Sequence, residues 1–577
     1  MAALAVVPIS MNQTSSTFVG TERRHRSSGQ AWRLAAIAIA TLVAVPIVSL
    51  FLIAAQGSSD LWPHMLSYVL PATVRDTAIL LLGVGVIVSV TGTGTAWFVT
   101  AYDFPGRKFL EWALVLPLAV PTYIIAYAYL DILHPVGAVQ DAIRQLLGYS
   151  GPREFRLPDI RSMQGCILLL GFVLYPYVYL TTRAMFLLQA ASLVEAARTL
   201  GISRGAIFRR VALPLARPAI ALGVSLALME ALNDIGASEF LGVQTMSVSI
   251  YASWIGRSDL PGAAQISIVM LVLVVGLILI EGRARRHQRY AVAAQKSRLM
   301  PAMRLSARKG GLVFGLCFVP ILFGFVIPIL YLIIEAIKRY RFSQISERIV
   351  AETINTVTIS AISTGVVLAC GLIVAYAARL YQGGSTDFIT RVSALGYATP
   401  GTVLAIGLLA PIGMMDRFIG GLAESLWGAS IGLAILGSGG ALVYAYAARF
   451  MAISTGGIET GFSRIAPSLD QVARTLGQTP SGVFRRVHMP LSKPAIVAAG
   501  LLVFVDCMKE LPATLLLRPL NFETLATHLY GEAARGTYEE ASIAALIIVL
   551  VGILPVVLLA RVGDRLQTSA RSASVSR

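Results

Sequence analysis

Charged residues are scarce in this chain of 577 residues. Only 13% of the residues are Asp, Glu, Lys or Arg, whereas 56% are hydrophobic. A soluble domain usually carries about 25% charged residues, so the composition argues against a soluble protein. Four segments, 34–55, 79–101, 167–188 and 266–280, are long or nearly free of charge. Because about 20 apolar residues cross a bilayer, the sequence predicts an integral membrane protein.

Cysteines and nucleotide-binding motifs are also few or missing. Cys166, Cys317, Cys370 and Cys507 stand singly in apolar surroundings, and this spacing supports neither a zinc site nor a disulfide framework. No G-x-x-x-x-G-K-[ST] loop, which would cradle ATP phosphates, occurs in the chain. The sequence therefore predicts that the chain binds no cofactor itself and has no certain metal site.

Positive charge, in contrast, is abundant. The chain has 47 Lys and Arg against 30 Asp and Glu, a net charge of +17. These residues cluster before the first apolar segment, in a central linker and after the last apolar segment. Loops rich in Lys and Arg stay in the cytoplasm, so the charge predicts cytoplasmic termini beside a lipid bilayer and does not indicate nucleic-acid binding.

The apolar segments predict about twelve membrane-spanning helices, six on each side of a basic linker at 282–311. In the first half they fall at about 34–55, 77–101, 109–133, 163–188, 217–241 and 262–281. In the second half they fall at about 312–336, 353–378, 389–411, 428–450, 493–516 and 540–562. We therefore predict an all-α membrane protein of two six-helix domains, 34–281 and 312–562, with cytoplasmic tails at 1–33 and 563–577.

The two halves repeat each other in sequence. Residues 197–220 and 473–496 align without gaps, with 14 of 24 positions identical. Residues 72–77 lie opposite 351–356, and the region of Pro121 lies opposite that of Pro400. Since each half has six spans, both copies have one orientation and form a parallel repeat. Such a repeat leaves a pathway at its seam, which favours a transporter over a membrane-embedded enzyme.

The repeated segments, 192–218 and 468–494, carry glycine and proline at corresponding positions. Gly201 and Gly477 are expected to end a helix, since glycine tolerates positive φ. Pro214 and Pro490 are expected to end a second, short helix on the cytoplasmic surface. In the second copy, Thr479 is expected to cap this helix and Pro480 to take its first position. That helix would present an apolar knob, Ile207–Phe208 or Val483–Phe484, beside an arginine pair. A two-fold protein partner is the favoured ligand, and lipid headgroups are the alternative.

Glu195-Ala196-Ala197, followed by Gly201 and Pro214, resembles the EAA signature of permease subunits of ATP-binding cassette importers. The resemblance implies two tandem type I (MetI-like) domains with pseudo-two-fold symmetry and two separate ATPase subunits that bind ATP and Mg²⁺. The second copy departs from the signature, because Gln471-Val472-Ala473 replaces Glu-Ala-Ala. The residues predicted to couple to the ATPase are Glu195, Ala196, Ala197, Gly201, Ile207, Phe208, Arg209 and Pro214, with Gln471, Ala473, Gly477, Val483, Phe484, Arg485 and Pro490 in the second copy.

Charged and polar residues recur in the fifth predicted span of each half. Glu230 and Asp234 are four residues apart, as are Asp506 and Glu510, so each pair is expected to share one helical face. Carboxylates inside a membrane are costly and by default mark a pathway. The predicted pathway residues are Glu230, Asn233, Asp234, Asp506, Lys509 and Glu510. A structural ion pair to Lys509 and an acid–base pair of a membrane enzyme are the alternatives.

Longer segments, among them LPATVRDTAILLL, MEALNDIGASEFLGVQT and LPATLLLRPLNFETLATHLY, resemble the fused two-domain permeases of ferric-iron importers. The resemblance implies a multi-pass protein of the bacterial inner membrane that receives Fe(III) from a periplasmic binding protein. Oxygen ligands suit such a hard cation. Thiamine and organophosphonates are alternative substrates. An ion-gradient-driven transporter would not need the paired EAA-like loops.

Overall fold

The computed structural model describes residues 15–57, 62–188, 204–286, 302–344, 346–381, 383–428 and 432–555. These segments are predominantly helical, so the all-α prediction is confirmed. One short parallel β pair joins Tyr102–Asp103 to Met303–Arg304. Five-residue π-helical turns interrupt several helices, including Phe208–Ala212 and Phe484–His488.

The helices are numbered in chain order. The first half contains α1 (Ser15–Ala54), α2 (Trp62–His64), α3 (Leu70–Ala101), α4 (Arg107–Ala113), α5 (Thr122–Ile132), α6 (Ala138–Leu147), α7 (Met163–Leu188), α8 (Arg204–Ile207), α9 (Leu213–Asn233), α10 (Gly236–Phe240), α11 (Met246–Tyr251) and α12 (Leu260–Arg286). The second half contains α13 (Ala307–Ile321), α14 (Ile327–Ser343), α15 (Glu347–Leu380), α16 (Gly384–Ala398), α17 (Gly401–Trp427), α18 (Gly440–Ser463), α19 (Pro467–Thr475), α20 (Pro480–Val483), α21 (Met489–Met508), α22 (Pro512–Leu517), α23 (Leu525–Arg535) and α24 (Tyr538–Pro555).

Ten helical stretches in the described residues are long and apolar enough to cross a membrane, against about twelve predicted. An eleventh is counted if the bent pair 107–119 and 122–132, which meet at 90°, forms one span. The predicted span 428–450 does not correspond to any of these stretches, and the helix in that region is α18. The multi-pass architecture is thus confirmed, while three predicted spans, 109–133, 389–411 and 428–450, are broken or shifted.

Prolines break two helices that the sequence predicts as continuous, 109–133 and 389–411. Pro121 precedes α5 with φ −56° and ψ 143°, and Pro400 precedes α17 with φ −56° and ψ 144°. Proline has no N–H for the helix and disfavours the helical conformation in the residue before it. The two halves therefore break their third span in the same way, as the alignment of these prolines predicts.

The chain divides into two compact units. The smaller contains residues 1–44, 365–397 and 450–503, and the larger contains residues 45–364, 398–449 and 504–577. In the smaller unit, a cluster of buried side chains surrounds Tyr376, Phe462 and Phe484. In the larger unit, an extended core joins α3, α5 and α7 to parts of the second half.

The first helix of each half packs on the other half. In the larger unit, Tyr129 of α5 donates a hydrogen bond to the Phe323 carbonyl at 2.6 Å, just before α14. Tyr331 of α14 donates to Asp131 at 2.6 Å. Pro46 of α1 lies against α17, where a Cβ on Gly407 would come within 2.1 Å of the proline carbonyl oxygen. In these contacts, the first span of each half therefore meets the other half.

Candidate functional site

The repeated segment of the second half, called the second docking loop (residues 467–491), begins as the sequence predicts. Gly477 follows α19 with φ +77°, a conformation that favours glycine. The Thr479 hydroxyl caps α20 by accepting the Gly482 N–H at 3.2 Å, and Pro480 occupies the first turn. The predicted helix stop and helix start are therefore confirmed in this copy.

The predicted proline hinge at the other end of the short helix is wrong. Helix α20 runs through the π-helical turn Phe484–His488 directly into α21, and the Met489 N–H bonds to the Phe484 carbonyl. Pro490 lies next in the chain and has no N–H to place, so a widened turn just before it loses little hydrogen bonding. In the first half, Pro214 follows the π-helical turn Phe208–Ala212 in the same way.

The predicted apolar knob is also wrong, because its residues face inward. Val483 and Phe484 are only 3% and 9% exposed, and Ile207 is 3% exposed. The sequence pattern alone does not reveal the internal partners that bury these side chains. The exposed residues of the second docking loop include Leu469, Gln471, Val472, Leu476, Arg485, Arg486 and Pro490, whereas Ala473 is buried.

Asp470 supplies the acidic contacts of the second docking loop. Its carboxylate accepts a bond from Arg379 Nε at 3.0 Å and lies 2.7 Å from His488 Nε2. Arg379 also donates to the carbonyls of Phe462 and Ile465 at 2.6 and 2.9 Å. The acidic residue one position before Gln471 thus attaches α19 to α15 and to the π-helical turn Phe484–His488.

The corresponding segment of the first half, called the first docking loop (residues 191–215), is described only from residue 204. Glu195, Ala196, Ala197 and Gly201 lie outside the described residues. Phe208 is half-buried, with its ring centroid 5.0 Å from that of Trp97. Trp97 in turn lies 5.4 Å from Phe186. Arg209 and Arg210 are exposed, and Pro214 is half-buried.

The carboxylates at the ends of α9 and α21 do not lie as predicted. Helix α9 ends at Asn233, and Asp234 is extended, so Asp234 does not continue the helical face of Glu230. Asp234 accepts the Ser238 N–H at 2.9 Å and a short hydrogen bond from Thr122. A carboxylate in this position satisfies N–H groups that the next short helix leaves open.

Glu510 occupies the corresponding position in the second half. Its carboxylate accepts the N–H groups of Ala513 and Thr514 at 2.9 and 3.0 Å, and the Thr514 hydroxyl at 2.7 Å. It is 5% exposed. Helix α21 ends at Met508, so Glu510 also lies beyond the helix that carries Asp506. Both carboxylates therefore hold the start of a short helix, α10 or α22.

A cluster of charged and polar residues from both halves surrounds the ends of α9 and α21. Asn233 Oδ1 accepts the Gly401 N–H at 2.8 Å and Arg449 Nη1 at 3.0 Å. Arg449 Nη1 lies 3.5 Å from Glu510. The Arg449 side chain lies so close to the Gly401 backbone that a Cβ at position 401 would be 2.0 Å from Arg449 Nη1. We call Glu230, Asn233, Arg449, Asp506, Lys509 and Glu510 the central charge cluster.

Lys509 pairs with Asp506 at 2.8 Å, as the ion-pair alternative predicts. Glu230 is half-buried and experiences the charges of Arg449, Lys509 and Asp506. Sequence reasoning missed Arg449, although an arginine inside the apolar run 441–451 could have indicated it. Within the described residues, no three His, Cys, Asp or Glu side chains are placed to hold a metal ion.

Another contact between the two halves joins α10 and α11 to α23. Tyr530 donates a short hydrogen bond to Glu239, and its ring centroid lies 5.4 Å from Phe240 and 6.3 Å from Tyr251. Burial and the neighbouring Glu239 raise the pKa of Tyr530 above its ordinary value, so the phenol remains a donor.

Two threonines confirm the internal repeat near this contact. The Thr77 hydroxyl accepts the Met246 N–H at 3.1 Å, and the Thr356 hydroxyl accepts the Leu525 N–H at 2.8 Å. The alignment of residues 72–77 with 351–356 places these two threonines opposite each other. The repeat therefore holds in side-chain contacts as well as in sequence.

Comparison with known proteins adds a family to this geometry. Residues 89–290 and 367–568 each match the family described as "Binding-protein-dependent transport system inner membrane component". The Fe(3+)-transport system permease protein FbpB 2 of Haemophilus influenzae is 25% identical over 490 residues, which cover 84% of this chain and 89% of that protein.

Relatives with other named substrates match over shorter stretches. The sulfate transport system permease protein CysT of Escherichia coli is 25% identical over 242 residues, 40% of this chain and 83% of that protein. A putative 2-aminoethylphosphonate transport system permease protein PhnU of Salmonella paratyphi A is 30% identical over 177 residues, 30% of this chain and 60% of that protein.

Proposed function

This chain belongs to the family of binding-protein-dependent transport system inner membrane components, and from that membership we propose that it imports ferric iron. In this proposal, a periplasmic binding protein delivers Fe(III) to the outer end of the seam between the two halves. Two cytoplasmic ATPase subunits then drive alternating access. The chain itself is a transport subunit with no catalytic residues.

The two docking loops support the proposal of two ATPase subunits. Each half carries one loop, and the two loops share 14 of 24 positions in their aligned segments. The surface offered by the second loop combines exposed Val472 and Leu476 with exposed Arg485 and Arg486. Such a mixed apolar and basic surface suits a protein groove with acidic residues at its rim. ATP and Mg²⁺ would be bound by the ATPase subunits.

Charge distribution supports a location in the bacterial inner membrane with both termini in the cytoplasm. The basic residues lie in the first part of α1, in the linker between the halves and after α24. By the positive-inside rule these segments are cytoplasmic, the side that we also propose for the docking loops. The contact between Tyr530 and Glu239 then faces the periplasm.

Ferric iron is favoured by the extent of the match to FbpB 2. That protein matches across both halves, 89% of its length, whereas CysT and PhnU match about the length of one half or less. The central charge cluster limits how the ion could pass. Asp234 and Glu510 bind backbone N–H groups and Asp506 binds Lys509, so Glu230 is the carboxylate we assign to the pathway.

An organophosphonate is the second candidate substrate. Arg449 in the central charge cluster could attract an anion, and PhnU is among the relatives. A guanidinium with several donors suits a phosphonate group. The engagement of Arg449 with Asn233 and Glu510 argues against this candidate, since an anion would have to displace both.

Uptake by cells with and without the gene tests the substrate directly. We expect deletion to abolish high-affinity uptake of labelled Fe(III), with uptake of labelled 2-aminoethylphosphonate and sulfate unchanged. Complementation with the intact gene should restore iron uptake. Unchanged iron uptake together with lost phosphonate uptake would contradict the assignment and favour the second candidate.

A further inference from the structure

Trp32 of α1 contacts the second docking loop through both its ring and its N–H. The indole centroid lies 5.0 Å from the Phe484 ring and 4.9 Å from the Tyr376 ring. Indole Nε1 donates to the Ser481 hydroxyl at 3.2 Å. Beside it, the Tyr376 hydroxyl donates to the Pro480 carbonyl at 2.6 Å. Helix α1 of the first half thus helps to hold the first turn of α20 and the buried Phe484 of the π-helical turn that follows it.

The neighbouring residue anchors the same part of α1 elsewhere. Arg33 Nη2 donates to the Ser385 hydroxyl at 3.3 Å, and its guanidinium lies 5.9 Å from the Tyr381 ring centroid. Ser385 and Tyr381, the partners of Arg33, do not belong to the second docking loop. Trp32 and Arg33 therefore attach α1 at two adjacent places, of which only one is the docking loop.

The first docking loop has a tryptophan in a similar role but from a different source. Phe208 corresponds to Phe484 in the repeat, and the Trp97 ring lies 5.0 Å from it. Trp97 belongs to α3, inside the first matched domain, 89–290. Trp32 belongs to α1, which lies outside both matched domains. The first loop is supported within its own domain, while the second is supported both by Tyr376 of its own domain and by the added helix α1.

We propose that Trp32 is a positioning residue for the second docking loop, so that α1 controls how that loop engages its ATPase subunit. The inference rests on the proposed function, because it assumes that an ATPase subunit binds at each loop. Without the indole, Phe484 loses one of its ring partners and Ser481 loses a donor. Helix α20 can then shift from the position in which it binds the ATPase.

The experiment measures contact with the ATPase at each loop separately. The four native cysteines are replaced, and a single cysteine at position 209 or 485, both exposed arginines, carries a photo-activatable benzophenone. The full chain is assembled with its ATPase and binding protein in liposomes, and the yield of cross-linked ATPase is compared between variants. The ratio of substrate transported to ATP hydrolysed is measured on the same samples without the probe.

We expect Trp32→Ala to lower the cross-linking yield at position 485 roughly fivefold, the shift that the loss of the Trp32–Phe484 ring pair produces. The yield at position 209 should stay unchanged, and the transport-to-hydrolysis ratio should fall. Trp97→Ala, the matched variant, should lower the yield at position 209 instead. Trp32→Phe, which retains an aromatic ring, should recover most of the yield at 485, and Arg33→Ala should leave it near the unsubstituted level.

Two results would overturn the inference while leaving the proposed function intact. One is an unchanged yield at 485 in Trp32→Ala. The other is an equal loss at both positions, which would make Trp32 a support for the whole fold. A different result, no cross-linking at either position in the chain with intact Trp32 and Trp97, would refute the ATPase docking on which the inference rests.

Discussion

Asp234 and Glu510 each follow a long helix and accept N–H groups at the start of the next short helix. Lys509 pairs with Asp506. Three of the four carboxylates predicted to line a pathway therefore have structural partners. Glu230 differs, since its surroundings combine two cations, Arg449 and Lys509, with two carboxylates, Asp506 and Asp234. At the scale of residues, three predicted pathway carboxylates thus stabilise the fold, and Glu230 is the one that our proposal assigns to the substrate.

Replacing Glu510 by alanine should destabilise the protein. The change removes the acceptor for two N–H groups and one hydroxyl and leaves Arg449 without its carboxylate partner. Buried donors without acceptors cost about 1–3 kcal/mol each, so we expect a loss of at least ~2 kcal/mol. Thermal unfolding of the purified protein in detergent measures it. Glu510→Gln retains one acceptor oxygen and should lose less, and an unchanged midpoint in Glu510→Ala would contradict the capping role.

Replacing Glu230 by glutamine should affect transport without affecting stability. The amide keeps the shape of the side chain but removes the negative charge, and we expect uptake to fall about tenfold, the effect of ~1.4 kcal/mol. Unfolding temperature and ATPase binding should stay as in the unsubstituted chain. Glu424→Gln, an exposed carboxylate near the end of α17, is the control. Normal uptake in Glu230→Gln would assign this carboxylate a structural role too.

Helix starts and stops were predictable where they depend on a few neighbouring residues. Gly477, Thr479 and Pro480 follow local rules of backbone conformation and capping, and each lies as predicted. The burial of Phe484 was not predictable, because Trp32 meets this loop from far away, 449 residues before Ser481. The end of α9 before Asp234 likewise depends in part on Thr122, a contact that periodicity along the helix cannot indicate.

Among the elements, the second docking loop is held by side chains outside the EAA-like signature. Helix α19 is attached through Asp470 to Arg379 of α15 and His488 of the π-helical turn. Gln471, which occupies the position of the signature glutamate, is exposed. The acidic contacts of this loop thus come from the residue one position before that of the signature glutamate.

Asp470→Ala should therefore uncouple the second docking loop. With the carboxylate gone, Arg379 and His488 lose their shared partner, and we expect substrate uptake to fall about tenfold, since breaking a partly buried charged hydrogen bond costs ~1.5–3 kcal/mol. Uptake and ATP hydrolysis in liposomes measure the coupling. Ser468→Ala, at an exposed position two residues earlier in α19, is the control and should be neutral. Equal activity of the two variants would refute the special role of Asp470.

The contact of α23 with α10 joins the two halves at the end of the fold where α9 and α21 terminate. Outward opening of the seam would have to break the hydrogen bond between Tyr530 and Glu239. Tyr530→Phe removes this bond at a cost of ~1.5 kcal/mol to the closed state. We expect ATP hydrolysis without binding protein to rise about tenfold.

The rate of ATP hydrolysis in liposomes that lack the binding protein measures this effect. Tyr149→Phe, at an exposed position in the loop after α6, is the control. A basal rate in Tyr530→Phe equal to that of the control would show that this contact does not restrain opening.

In the whole molecule, the first span of each half contacts the other half as well as its own. Helix α14 contacts α5 of the first half, and α1 contacts the second half through Trp32 and Pro46. Within its own half, α1 accepts a hydrogen bond from Gln265 of α12, and Arg339 of α14 pairs with Glu540 of α24. The two docking loops are supported by different helices.

ATP-dependent uptake of labelled Fe(III) into liposomes tests the central claim most directly. The liposomes contain this chain with its ATPase subunits, and the iron-loaded binding protein is added outside. We predict accumulation that requires ATP, the ATPase and the binding protein together. Iron uptake that continues without ATP and follows an imposed ion gradient would contradict the account.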